Sequence, residues 1–179
     1  MSLYTDKIQD MLAGNSEIAV RQLESDAMTG NLEATYLLGK VYYDGIDFPP
    51  NSNKSVGLWE KGAQNGSIDC LRALGDCHFF GFGYEESNEK AMETYNEVLK
   101  KSPNDYQALC QIGRMHGHGW GVSKNVSHAI SLLEDAWRKG SSRAATEIGL
   151  LYMFDMEKTV DNIKEAIKWY QRGAECGDA

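Results

Sequence analysis

No stretch of the 179-residue chain is apolar over the roughly 18 residues that a membrane-spanning helix needs, so no membrane partner is expected. Positive charge is also short: 18 Lys plus Arg stand against 26 Asp plus Glu, a formal net charge of -8. Nucleic acid and anionic lipid would repel such a surface on average, and nucleic acid is excluded as an expected partner. Cysteine is sparse. Cys70, Cys77, Cys110 and Cys176 do not recur at one spacing, and Cys70 and Cys77 lie two turns apart on one helix, about 10 Å, too far for a bridge. These are read as reduced thiols. No signal peptide is visible, so the expected location is cytoplasmic; a secreted or periplasmic protein whose leader had been removed would read the same.

Chemical signatures are missing as well. There is no Gly-x-Ser-x-Gly elbow, and no carboxylate pair stands out from the scattered acidic residues. Gly117-His118-Gly119-Trp120-Gly121 is rich enough in glycine to suggest a phosphate cradle, but it lacks a preceding strand and a Lys-Ser ending. No enzyme, catalytic residue or cofactor is expected.

What the chain does have is a period. Leu38-Gly39, Leu74-Gly75, Ile112-Gly113 and Ile148-Gly149 are spaced 36, 38 and 36 residues apart, as in a helical solenoid. Each unit opens on a residue suited to N-capping (Asn31, Ser67, Asp105, Ser141), three of them after a closing glycine (Gly30, Gly66, Gly140). The first helix then carries a small residue (Ala34, Cys70, Ala108, Ala144), the Leu/Ile-Gly pair, and Tyr42, His78, His116 or Tyr152 one turn on. A glycine inside a helix costs about 1 kcal/mol against alanine, so its recurrence predicts a neighbouring helix too close for a side chain. The second helices place a bulky residue (Trp59, Tyr95, Leu133, Tyr170) between small ones, the pattern of a close-packed hairpin.

Turn glycines recur at Gly45, Gly81 with Gly83, and Gly119 with Gly121, but the fourth turn reads Asp155-Met156-Glu157-Lys158 and should differ in shape. Lys101-Ser102-Pro103-Asn104 adds two residues and replaces a closing glycine, where a change of pitch is expected. The expected organisation is a single solenoid over 1–179. A degenerate hairpin occupies 1–30, with a capping helix marked by Leu3, Ile8, Met11 and Leu12 and a second helix N-capped by Ser16. Repeats follow at 31–66, 67–104, 105–140 and 141–177. The last residues, Gly177-Asp178-Ala179, read as a closing glycine followed by another capping start. From these the chain is expected to continue, or its last face to be covered by another molecule.

The pattern Ala-x-x-x-Leu-Gly-x-x-Tyr-x-x-Gly-x-Gly-Val, followed by Ala-x-x-Trp-Tyr-x-x-Ala-Ala, resembles the Sel-one-like repeat family, relatives of tetratricopeptide repeats. Ala34, Leu38, Gly39, Tyr42 and Gly45 carry it in the first repeat, and Ala144, Gly149, Tyr152, Ala166, Trp169, Tyr170 and Ala174 in the last. His78 and His116 depart from the tyrosine position. The resemblance implies an all-α fold, a right-handed α/α superhelix of TPR-like helical hairpins. It implies a non-enzymatic adaptor or scaffold that binds a protein or peptide in the concave groove of the stack. The alternative is a hydrolase of the penicillin-binding, β-lactamase type, or a metal-binding repeat protein; such secreted relatives carry paired cysteines in each repeat, and this chain does not.

If Ala34, Leu38 and Tyr42 face the second helix, the wheel turns Tyr36, Lys40, Tyr43 and Asp44 away from it. The equivalent residues are Asp69, Arg72, Asp76, Phe79 and Phe80, then Gln107, Cys110, Arg114 and His118, then Arg143, Thr146, Leu150 and Phe154. In related repeats this surface lines the groove, and aromatic and arginine side chains dominate binding hot spots. Two readings fit Tyr43 and Phe79, a groove wall or inter-repeat packing, and two fit Trp120, a partner anchor or a side chain folded back. Arg72, Asp76 and Arg114 fit either a groove or a solvated ion-pair ladder. Cys77, His78, Cys110, His116 and His118 raise zinc, but their spacing lacks closely paired ligands, and no metal is expected. Self-association through the C-terminal end of the stack is the remaining partner expectation.

Overall fold

In a computed structural model, residues 14, 16–45 and 49–176 are described. The N-terminal capping helix, Ile46 and Asp47 of the first turn, and the Gly177-Asp178-Ala179 end lie outside them. The described residues form helices and connecting turns, with no strand among them. The helices are α1 (Ser16–Met28), α2 (Leu32–Asp44), α3 (Ser52–Gln64), α4 (Ile68–Phe80), α5 (Asn88–Lys101), α6 (Tyr106–His118), α7 (Val126–Arg138), α8 (Ser142–Phe154) and α9 (Val160–Glu175). They divide into two compact units, one ending at Glu86 and one beginning at Ser87. In the first, α1 packs on α2, α2 on α3 and α3 on α4; in the second, α5 through α9 pack in the same serial way. Within each unit the first helices of adjacent repeats also touch, α2 with α4 and α6 with α8.

Local chemistry explains where the helices begin and end. The side chains of Asn31, Ser67 and Asp105 accept from the N–H groups of Ala34, Cys70 and Ala108, each filling one of the donors a helix start leaves open. Ser141 stands at the same place but makes no side-chain cap. The starts of the second helices are capped too, by Asn51, Ser87, Asn125 and Thr159. Asn51 and Asn125 also donate their N–H groups to the carbonyls of Tyr42 and His116, both at 2.8 Å, which closes each hairpin. At Gly66 and Gly140, φ is +94° and +108°, a conformation that side chains with a Cβ rarely adopt. There the N–H of Ser67 reaches Gly62 O and that of Ser141 reaches Ala136 O, so one helix closes and the next opens without a spacer.

The fourth turn differs as its missing glycine predicts. Asp155 ends α8 in a right-handed conformation at φ -112°, and its carboxylate pairs with Lys124. At Lys101-Ser102-Pro103-Asn104 the chain closes through Ser102 N–H to Val98 O at 2.7 Å rather than through a left-handed residue.

Three of the recurrent helix glycines, Gly39, Gly113 and Gly149, have the steric cause expected of them. A Cβ on Gly39 would fall inside the Trp59 indole, and one on Gly113 or Gly149 would lie 2.8 Å from Leu133 Cγ or 2.7 Å from Tyr170 Cε1. In these three hairpins the bulky residue of the second helix sits against bare backbone, and Trp59 also donates its Nε1–H to the Tyr36 carbonyl at 3.1 Å. The small residues flanking these contacts, Ala34, Cys70, Ala108 and Ala144 with Ser55, Ala91, Ala129 and Ala166, are fully buried.

Burial extends beyond the single face the wheel anticipates. Thr35, Leu71, Leu109 and Ala145 are buried, as are Val41, Cys77, Met115 and Leu151, because a first helix is covered by its own second helix and by the neighbouring repeat as well. Cys110, expected on the open side, is in the core with Leu109, Ala144 and Ile148 for the same reason.

Gly39→Ala should destabilise the protein by about 1–3 kcal/mol through overpacking against Trp59, despite alanine's better helix propensity. Gly57→Ala, in the same hairpin with nothing near its Cβ, should instead stabilise it by up to about 1 kcal/mol. Urea unfolding of the two variants side by side checks the pair; equal effects would remove the steric account of the repeat.

Candidate functional site

What covers a first helix on two sides leaves a strip of half-buried and exposed side chains on the third. In the first unit this strip comes from α2 and α4. Lys40 and Asp44 are exposed, Tyr36, Arg72, Asp76 and Phe79 are half-buried, and Phe80 is 57% exposed. Phe79 and Phe80 meet edge to face at 4.9 Å. Arg72 is held down by Asp69, its Nη2 at 2.6 Å from Oδ1. Burial pushes the Tyr36 hydroxyl above its ordinary range, an effect that Arg72 partly offsets. Tyr43 turns inward: its ring lies 4.4 Å from Phe82 and 5.7 Å from Trp59, so it serves inter-repeat packing.

The strip in the second unit is built on α6, α8 and the turn after α6. Arg114 Nε lies 2.7 Å from Glu147 Oε1 without directing a hydrogen bond at it, while its Nη1 donates to Gln111 Oε1 at 2.6 Å. Arg143 Nε approaches the same Glu147 oxygen at 3.5 Å from a largely exposed side chain. Trp120 folds back on its own helix, stacked with His118 at 4.3 Å and lying under the Arg114 guanidinium at 5.6 Å. Leu150 is half-buried and Phe154 is exposed.

Glu147 and Gln111 were not visible as site residues from helical periodicity. The available signal was register: Gln111 and Glu147 occupy the position of Leu37 and Ala73, so the last two repeats are polar where the first two have an apolar side chain. The asparagine caps Asn51 and Asn125 were missed in the same way, since the turns before them differ in sequence.

The glycine-rich turn is explained by packing. Gly117 is inside α6, where a Cβ would lie 2.8 Å from Leu151 Cδ2, Gly119 is a left-handed cap, and Gly121 lies against the Asn88 backbone. Among the described residues no three His, Cys, Asp or Glu side chains gather as metal ligands would. The four cysteines are free, and burial raises the Cys70 thiol to about 11 and the Cys77 thiol to about 12, so both stay protonated and unreactive. No described helix is long and apolar enough to cross a membrane.

The histidines at the tyrosine position pack against aromatic neighbours. His78 stacks on Tyr84 at 4.3 Å, and His116 meets His128 of α7 edge-on at 4.7 Å. Burial and, secondarily, His128 hold the His116 pKa below its ordinary 6.5, and its Nδ1 is buried without a hydrogen-bond partner. The folded state therefore prefers neutral His116, and the unfolded chain takes up a proton at higher pH. That contribution is present above 6.5 and is lost as pH falls through 6.5 toward the folded value. Melting temperature should drop between about pH 7 and pH 5, with a shallower drop in His116→Tyr, which restores the residue type of Tyr42 and Tyr152. An unchanged pH profile in that variant would show that His116 is not the titrating group.

Sel1 repeats match residues 32–67, 68–93, 107–141 and 142–178. The ERAD-associated E3 ubiquitin-protein ligase component HRD3A of Arabidopsis thaliana is 27% identical over 177 residues, covering 90% of this chain and 25% of that protein. The chain spans a quarter or less of the length of the curated relatives it matches first. Among solved structures, a Sel1 repeat protein from Oxalobacter formigenes superposes with a TM-score of 0.77 at 23% identity, covering 96% of this chain and 71% of the other. A protective antigen of uropathogenic Escherichia coli displaying an SLR fold gives 0.67 at 19% identity, over 89% of this chain and 34% of the other. These likenesses agree in fold with the helical hairpins described above, and the matched repeats take in most of the chain, which belongs to the Sel1 repeat family.

Proposed function

We propose that this protein is a non-enzymatic adaptor that binds a protein or peptide along the open strip of its first helices. The observation that carries the reading is the composition of that strip. Where the rest of each first helix is covered, Lys40 and Phe80 stay exposed beside the half-buried Arg72 in one unit, and Arg143 stays exposed beside the half-buried Arg114 and His118 in the other. Aromatic and arginine side chains on a rigid scaffold supply contact area and directed hydrogen bonds at low entropic cost. Sel1 repeat proteins serve as protein-interaction scaffolds, and HRD3A is by its name a component of a larger ligase.

The test is affinity capture from a native lysate with the wild type beside Phe80→Ala and Arg143→Ala, both exposed enough to leave folding intact, after matching helicity and melting. A protein held by the wild type and lost by either variant supports the adaptor reading and places its contact on that unit. If both variants retain every captured protein, the strip is not the binding face.

A second reading, self-association at the C-terminal end, is favoured by α9. Ile167 is 47% exposed, whereas its register counterparts Val56 and Met92 are 7% and 8% exposed, and Val160 and Ile163 extend the open apolar stripe. A sedimentation coefficient that rises with concentration in the wild type and not in Ile167→Glu supports it. A coefficient independent of concentration in both rules it out.

A further inference from the structure

The second unit holds a charge cluster that packing alone does not call for. Glu147 is 8% exposed at a register position where the uncharged Leu37, Ala73 and Gln111 stand elsewhere, and it receives two guanidiniums, Arg114 and Arg143. The two first helices of this unit, α6 and α8, carry those two arginines against this single carboxylate. In the first unit α2 and α4 each carry one basic residue against two acidic ones. Positive excess is thus concentrated on one surface of a chain whose formal charge is -8.

The geometry divides the labour between the arginines. Arg114 is nearly buried, tied to Glu147 and Gln111 and covered by Trp120, so losing its partner would leave a charge stranded out of water. Arg143 is 56% exposed and only loosely held at 3.5 Å, a contact of little value by itself. It is therefore able to turn its planar fork toward an incoming anion while the Arg114–Glu147 pair stays in place. One external carboxylate would neutralise the excess, and the half-buried Trp120 ring stacked on His118 offers an apolar wall beside it.

We propose that this surface of α6, α8 and the Trp120 turn binds a peptide segment through an Asp or Glu side chain. The carboxylate docks on Arg143 and the outer edge of Arg114, with a neighbouring peptide residue against Trp120. Glu147 positions Arg114 and limits the site to one external negative charge. The proposal rests on reading the first helices as a binding surface and adds the chemistry of what the second unit selects.

The test uses the whole chain against an array of short random peptides, acetylated at the N-terminus and amidated at the C-terminus. Retained peptides should be enriched in Asp or Glu, and replacing that residue by Asn or Gln should weaken binding about tenfold. Arg143→Glu should cause a similar loss with unchanged melting. Glu147→Gln lowers stability because Arg114 loses its charged partner, but measured below its melting temperature the second unmatched positive charge should tighten acidic peptides several-fold and leave uncharged ones unaffected, a response that a purely structural Glu147 would not produce. Peptides retained without acidic preference and insensitive to Arg143→Glu, but lost with Phe80→Ala, overturn this inference and leave the adaptor reading standing. Binding that appears only with a free C-terminal carboxylate overturns the side-chain assignment. Retention of no peptide by the wild type removes the peptide form of both readings.

Discussion

The contact between a bulky side chain of one helix and the bare backbone of another is the constraint on which the rest of this molecule depends. Trp59 over Gly39, Leu133 over Gly113 and Tyr170 over Gly149 bring the two helices of a hairpin closer than any Cβ would permit. A neighbour at that distance also restricts the flanking positions, and Ala34, Ser55, Ala129, Ala144 and Ala166 are small and fully buried as a result. Interiors packed to crystal-like density transmit such restrictions along the whole hairpin.

Close packing on two sides of each first helix decides what is left for binding. Residues such as Leu71, Leu109 and Ala145 are buried by that packing, and Tyr43 is drawn into the aromatic contact with Trp59 and Phe82. The remaining strip is narrow, and its side chains are half-buried by the same neighbours. Partial burial matters for Arg114 and Glu147, whose attraction is stronger and less screened by salt than that of an exposed pair such as Arg21 with Glu17. It also makes the thiols inert, for Cys70 and Cys77 are used as small apolar side chains.

The helix ends add a second, local layer of order. Left-handed glycines at Gly66 and Gly140 close one helix with the same hydrogen bonds that present the next residue as a start, which leaves little freedom between repeats. At the turn inside the last repeat, where Asp155 stands at the position of Gly45, Gly81 and Gly119, an ion pair with Lys124 is made instead, and α9 runs 16 residues against 13 in α3 and α7. The missing turn glycine at Asp155 is thus a real change in local geometry.

By itself the sequence determined the all-helical repeat, its period and most of its helix ends, because capping, glycine and small-residue requirements act within a few residues or recur at one register position. Asn31, Ser67 and Asp105 do what their residue types and places imply. Ser141 opens its helix at the same register without a side-chain cap, a difference from Ser67 that the residue type does not reveal. Only the tertiary structure decided which residues of the open strip stay open. It buried Cys110, turned Tyr43 inward, folded Trp120 onto Arg114 and brought Glu147 between two arginines. A helical wheel divides a helix into an inside and an outside, whereas a helix packed by neighbours on two sides has its exposure set by residues of other repeats.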